Sequence, residues 1–375
     1  MENSESEKGL FILLRKALWG GPVGGETLDR LDAAAWEALY RLAAEQGVLR
    51  LLWEAVERLP APQQPPRPLR LRWAFETRRI ERRWHRQLRA VERLAAFYAR
   101  RGIPMMLLKG YGLSRYYPVP EHRPCGDVDI WLFGRRAEGD AALARELGIE
   151  VDMRPEHHTT FRLDDIPVEN HYDFLNTRSC AANARYERIL KRYAADPGEA
   201  IRVGETRVYL PPASFGALFL LRHAAVHFAG AGIGLRHFVD WALFVAHNYR
   251  CIDWPVVVGA VRESGMAPFV EGFCSLCIDR LGLDAVCLPP LRRNPAVEAR
   301  MLAAVLHPAL PGEVPAARIP GIWFRLRRWW AGRWQRSLVY DEPLLRSFLR
   351  MVRNHVVRHW PFACPVRPVR PQSGN

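Results

Sequence analysis

Residues 127–133, DVDIWLF, begin by alternating acid and apolar side chains, and Gly134 closes the run. Successive strand side chains point to opposite faces, so Asp127 and Asp129 share one face and Val128 and Ile130 the other. Such a strand backs onto a core on one side and, on the other, onto something that offsets two adjacent carboxylates. Left alone, two neighbouring carboxylates repel, and one takes up a proton unless a cation stands between them. A hard divalent ion such as Mg²⁺, which accepts carboxylates, waters and phosphate oxygens together, meets that need. The plainer alternative is a pair of solvated acids at a strand end, since D-x-D is short and common by chance.

The surrounding text sets this strand in a small α/β unit. Residues 8–58 carry helical periodicity broken by GGPVGGE near residue 22, and the Pro-rich PAPQQPPRP at 60–68 ends it. A long helix with charged faces is expected from about Leu69 to Arg101, stopped by Gly102. Then come an apolar strand ending at Lys109-Gly110, a short helix in YGLSRYY, the DVDIWLF strand, a helix in RRAEGDAALARELG and two strands in TTFRLDDIPVENHYDFL. Beyond Pro211-Pro212 the pattern is helical again. The expected division is a helical region at 1–101, the α/β core at 102–176, a helical region at 177–290 that completes the cleft, and an Arg/Trp/Pro-rich region at 291–375.

The 375 residues carry a formal net charge of +14. That favours polyanionic partners, although solubility and genomic base composition also enrich arginine. The N-terminus has no basic leader followed by a clean apolar segment, so no secretory signal is expected. The most apolar span, FGALFLLRHAAVHFAGAGIGL, is interrupted by Arg222, His223 and His227, which suits a buried helix better than a membrane crossing. Seven scattered cysteines point to a reducing, cytoplasmic setting. Cys274 and Cys277 form a C-x-x-C without a second pair at zinc spacing, and core packing is the expectation for both.

Three further features bear on the aspartates. Lys109-Gly110 lies at a strand-to-helix turn, where unpaired N–H groups and a lysine suit a phosphate. Glu169 and His171 share one strand face, with Val168 and Asn170 on the other. A third carboxylate beside an aspartate pair is what two-metal phosphoryl chemistry requires. The glycine pattern of a dinucleotide-binding fold is absent.

Taken together, LLRKALWG, LLKGYGLSRYYP, RPCGDVDIWL, VENHY and GIGLRHFVDWALF resemble a bacterial family of uncharacterised nucleotidyltransferases. That family is often found among polysaccharide-biosynthesis genes and sits in the superfamily that includes DNA polymerase beta. The resemblance spans roughly residues 10–285. It implies an α+β fold, with a small mixed-sheet nucleotidyltransferase core flanked by N-terminal and C-terminal helical regions. It also implies Mg²⁺ held by Asp127, Asp129 and Glu169, with Glu169 assisting deprotonation. Lys109, Gly110, Arg123 and Gly126 would meet the nucleotide. A nucleotidyl group would pass from a nucleoside triphosphate to a hydroxyl of a small molecule, sugar or protein, releasing pyrophosphate. Two departures stand out: the turn reads Lys-Gly-Tyr where the superfamily commonly has Gly-Ser or Gly-Gly, and Glu169 replaces an aspartate.

Other residues leave two readings open. Arg123 either binds phosphate at the pocket lip or is a solvated loop arginine. His171 either contacts substrate or the outer metal shell, or is packed and hydrogen-bonded. In GLRHFVDW, Arg236 and Asp240, four apart on a helix, form either an ion pair or, with His237, a wall of the nucleotide or acceptor site. His157 and His158 stand close enough in sequence to reach the same cleft. His223 and His227 share a helix face but lack the glutamate of a metalloprotease motif, so zinc is not expected. WFRLRRWWAGRWQR, residues 323–336, interleaves arginine and tryptophan. It suits a docked amphipathic helix, an anionic inner-membrane surface or, less well, nucleic acid. A non-catalytic scaffold that docks on an anionic surface through this segment is the competing reading of the whole chain.

Overall fold

A computed structural model describes residues 4–21, 26–177, 181–308, 318–346 and 348–349. Its centre is a six-stranded mixed sheet. The strands are β1 (Met106–Leu107), β2 (Val128–Trp131), β3 (His158–Leu163), β4 (Ile166–His171), β5 (Ala200–Val203) and β6 (Thr206–Tyr209), in the order β3-β4-β2-β1-β6-β5. β2 runs antiparallel to β1 and parallel to β4, and β1 runs parallel to β6. The expected α+β class, with helices on either side of a small mixed sheet, is what forms.

One difference concerns the sheet's extent. The segment after residue 176, assigned from sequence to the helical part, adds β5 and β6 as an edge hairpin turned at Gly204. Its strands are only four residues each and β5 is largely solvent-facing apart from Val203, so the alternation that marks a buried strand is too short to register there.

The two faces of the sheet meet different neighbours. Val128, Ile130 and Val168 pack with Ala90, Leu94 and Tyr98 of the long helix Arg67–Ala99 and with Leu143 of the helix Arg136–Leu147. The opposite face looks toward the helices Ala213–Ala229 and Leu235–Asn248. Those helices share a second, larger core with the N-terminal helices Glu5–Trp19, Ala33–Glu45 and Leu49–Glu57. Chain-distant bonds stitch this layer: Trp19 Nε1 donates to the Leu281 carbonyl at 2.6 Å, and Gln46 Nε2 to that of Val305 at 2.9 Å. Cys274 and Cys277 are buried in this core, as packing predicts, and all five described cysteines are free thiols.

The long helix fixes the entry to β2. Gln87 Nε2 donates to the Asp127 carbonyl at 2.6 Å, and Arg83 reaches the Gly126 carbonyl at 3.3 Å. Thus the loop carrying Asp127 is tied to a rigid element, as a reactive side chain requires.

Candidate active site

β2 and β4 are in parallel register, with Asp129 opposite Glu169 and Trp131 opposite His171. β3 pairs with β4 so that His158 lies opposite His171. Side chains at one register level share a face, so this pairing gathers acids and imidazoles on the side away from Val128 and Val168. They meet at a cleft of about 490 Å³ whose lining includes Lys109, Asp127, His158, Glu169 and His171. The expected clustering of Asp127, Asp129 and Glu169 on one sheet face is present.

Asp129 lies at the bottom, 1% exposed. Its Oδ1 takes the Lys109 ammonium at 3.0 Å and His171 Nε2 at 3.2 Å. Its Oδ2 is buried with no hydrogen-bond partner. Burial alone would raise the pKa of this carboxyl, but Lys109 and His171 outweigh it and hold Asp129 ionised, well below the usual range. The reciprocal effect appears on His171: burial favours the neutral ring, yet hydrogen bonds to Asp129 and Glu169 raise its pKa to about 9. Its Nδ1 lies 3.2 Å from the Asp173 carbonyl, an acceptor that calls for a proton there and turns Nε2 toward the acids. Asp127 is pushed upward by burial and then by Asp129. Glu169 is also raised by burial, but its bond to His171 prevails and lowers it.

Lys109, expected to face a phosphate, gives its ammonium to Asp129, and burial fails to neutralise it because Asp129, Asp127 and Glu169 all favour the charge. Gly110 caps a helix of only four residues, Tyr111–Ser114, with φ +62° and ψ −116°. A Cβ there would sit 3.2 Å from the Asp127 carbonyl oxygen. Glycine is therefore needed for backbone conformation and for close approach to the aspartate loop.

The facing wall rearranges the expectations for Arg123, Arg236 and Asp240. Arg123 is neither solvated nor open toward an anion. Its Nε and Nη2 fork onto Asp240 at 2.8 and 2.9 Å, and its Nη1 contacts the Cys125 sulfur at 3.2 Å. Tyr117 OH donates to the same Asp240 at 2.8 Å. The helix pair Arg236–Asp240 does not form; Arg236 donates to the Pro124 carbonyl at 3.0 Å instead. Both arginines thus clamp the loop before Asp127 onto the helix Leu235–Asn248. Burial raises Asp240, but Arg123 reverses this and keeps it ionised.

Six histidines line the cleft: His157, His158 and His171 from the sheet side, His223, His227 and His237 from the helices. Burial, followed by cationic neighbours, lowers His223 and His227, and lowers His237 to about 4, so this wall is neutral near pH 7. Among the described residues, two groups bring three ligand atoms within 4.8 Å of one another: Asp129, Glu169 and His171, and His157, His158 and His171. His223 and His227 belong to neither group. His237 lines the cleft, as the GLRHFVDW block suggested, whereas sequence reasoning did not foresee Gln87 or Tyr117, whose roles arise from long-range packing with no local signal.

No described helix is long and apolar enough to cross a membrane. No curated protein and no solved structure matches the chain. Residues 32–282 match a family model described as uncharacterised nucleotidyltransferase, a span that holds the sheet, the acid cluster and the histidine wall. With two-thirds of its length inside that match, the chain belongs to the uncharacterised nucleotidyltransferase family.

Proposed function

We propose that the cleft transfers a nucleotidyl group from a nucleoside triphosphate to a hydroxyl acceptor, with Mg²⁺ held by Asp127, Asp129 and Glu169. The observation that carries this reading is the buried, unpaired Oδ2 of Asp129 beside two further carboxylates. An acceptor atom left dry and without a donor calls for a cation, and an all-oxygen set suits a hard one. When bound, such an ion neutralises phosphate charge and lowers the pKa of a nearby hydroxyl.

The acceptor oxygen attacks the α-phosphorus, the new P–O bond forms, and the bond to pyrophosphate breaks. Glu169 takes the acceptor proton: its side chain is 26% exposed to the cleft, whereas Asp129 is at 0%. Gly126 and Gly110 let the backbone come close to the nucleotide. Arg123 and Asp240 keep the aspartate loop in place from behind. The neutral wall of His223, His227 and His237 faces the acceptor and donates or accepts hydrogen bonds without repelling either charge. A reducing, cytoplasmic setting accords with the five free thiols among the described residues.

A second reading is a scaffold docked on an anionic membrane surface. It is favoured by Trp323 and Trp330, 63% and 64% exposed on the basic helix Arg318–Ala331, although Trp329 is buried. Calorimetry of the four ribonucleoside triphosphates with and without Mg²⁺ separates the two. Mg²⁺-dependent binding that Asp127→Asn/Asp129→Asn abolishes in a folded protein supports transfer. Wild type that binds no triphosphate rules it out.

A further inference from the structure

Three carboxylates on one sheet face carry three negative charges and would draw two divalent ions. Here one cation is already covalently part of the site. The Lys109 ammonium stands 3.0 Å from Asp129 Oδ1, its side chain is 15% exposed, and it feels Asp127 and Glu169 as well. Lys109 thus offsets one of the three carboxylates before any ion enters, which leaves less negative charge to hold a second ion.

The two oxygens of Asp129 divide accordingly. Oδ1 is taken by Lys109 and His171, while Oδ2 has no partner and no solvent. An ion entering from the cleft meets Asp127 and Glu169, and Asp129 offers it one oxygen. A second ion on the Oδ1 side would have to stand where the ammonium stands, and two such cations a few ångströms apart repel strongly in a water-poor pocket.

We propose that Lys109 is the built-in second cation of this site, so that Asp127, Asp129 and Glu169 bind one divalent ion and not two. This rests on the reading of the three carboxylates as a metal site and deepens it. Lys109 acts through Asp129 and is in that sense a positioning residue. His171 Nε2 takes the same Oδ1 at 3.2 Å, so that oxygen is closed to an ion from two sides.

The backbone explains how a lysine comes to be there. Leu108 N donates to the Asp129 carbonyl at 3.1 Å, which aligns the end of β1 with the middle of β2. Gly110 then turns the chain sharply away, and Lys109, two residues beyond β1, keeps its ammonium on Asp129.

The test is Mn²⁺ binding to the full, metal-stripped chain, counted from the loss of the free-ion resonance signal and from calorimetry. The proposal expects one Mn²⁺ per chain in the wild type. It expects Lys109→Met to take up a second Mn²⁺, or to bind the first about tenfold more tightly, because one unit of positive charge has left the site. Lys109→Arg, which keeps the charge, should leave the count at one. Should Lys109→Met fail to fold, Lys109→Gln supplies an uncharged donor to Asp129 and replaces it.

Two Mn²⁺ per wild-type chain overturns the proposal. So does an unchanged count and affinity in the neutral variant. Asp129→Asn distinguishes the underlying reading: if wild type binds no Mn²⁺, or Asp129→Asn binds it equally well, the metal site itself is wrong and this inference falls with it.

Discussion

Asp129 and Glu169 are direct partners across the parallel strands β2 and β4, with Asp129 buried and Glu169 the more exposed of the two at the cleft. Their roles should separate accordingly. Asp129→Asn keeps the shape but removes the buried charge, so Mn²⁺ or Mg²⁺ binding should vanish and nucleotidyl transfer should fall by at least about 10²-fold. Lys109 and His171 would then lack their counter-charge, which should also lower stability by about 3 kcal/mol. Urea unfolding followed by circular dichroism, beside metal calorimetry, reads both effects. An Asp129→Asn protein of wild-type stability would show that the pair is not the balanced unit described.

Arg123 and Asp240 lie 117 residues apart and form a forked, buried ion pair. Removing one partner strands the other, so Arg123→Met should cost about 3–5 kcal/mol. The double variant Arg123→Met/Asp240→Leu should recover a good part of that, because no charge remains to be buried. Denaturation of the two single variants and the double completes the cycle. Single-variant losses below about 1 kcal/mol would mean the pair is solvated in solution.

These two pairs mark what the sequence makes legible and what it does not. Asp127, Asp129 and Glu169 announce themselves because strand periodicity of two places acid and apolar residues on opposite faces, and a carboxylate inside an apolar run is conspicuous. His171 follows from Glu169 by the same period. Arg123 and Asp240 give no such sign: each looks like an ordinary charge, and only the packing of a distant helix against the loop joins them. The helical spacing of Arg236 and Asp240 suggested the wrong partner, since i, i+4 neighbours are weak competitors for a buried bidentate fork. The edge hairpin β5–β6 was hidden for a different reason, its four-residue strands being too short to show alternation.

His122 is 1% exposed, and neither ring nitrogen has a hydrogen-bond partner. Burial, then Arg50 and Arg58, lowers its pKa to about 3, so it is neutral when folded. The unfolded chain has the ordinary value near 6.5 and binds the proton first. Stability from this group is therefore complete above pH 6.5 and drains as pH falls toward 3. One proton taken up on unfolding corresponds to at most about 1.4 kcal/mol per pH unit. His122→Gln should flatten the pH dependence of unfolding free energy between 6.5 and 4. An unchanged slope would place the titration elsewhere.

Trp323 and Trp330 are exposed on the helix Arg318–Ala331, while Trp329 and Trp334 pack inward. Exposed indoles among arginines favour a headgroup boundary. Phosphatidylserine-containing vesicles should bind the wild type and hold Trp323→Ser/Trp330→Ser about tenfold more weakly, with triphosphate binding unaffected in both. Equal sedimentation with vesicles would remove the membrane from consideration.

Gly110 and Gly126 flank the aspartate site, and their substitution should separate conformation from contact. Gly110 has φ +62° and ψ −116°, a region where only glycine is unstrained, and an added Cβ would meet the Asp127 carbonyl oxygen at 3.2 Å. Gly110→Ala should therefore lose about 1–3 kcal/mol and disturb the loop that carries Asp127. At Gly126 nothing lies within 4 Å of an added Cβ, and its φ is one any residue adopts. Gly126→Ala should fold within about 0.5 kcal/mol of wild type, as surface changes away from special geometry do. If that variant loses triphosphate binding all the same, the added methyl group is blocking the approach of the nucleotide to the backbone. If it binds normally, Gly126 is a spacer and the nucleotide lies nearer Gly110. Equilibrium urea unfolding and triphosphate calorimetry on the same two variants read both quantities.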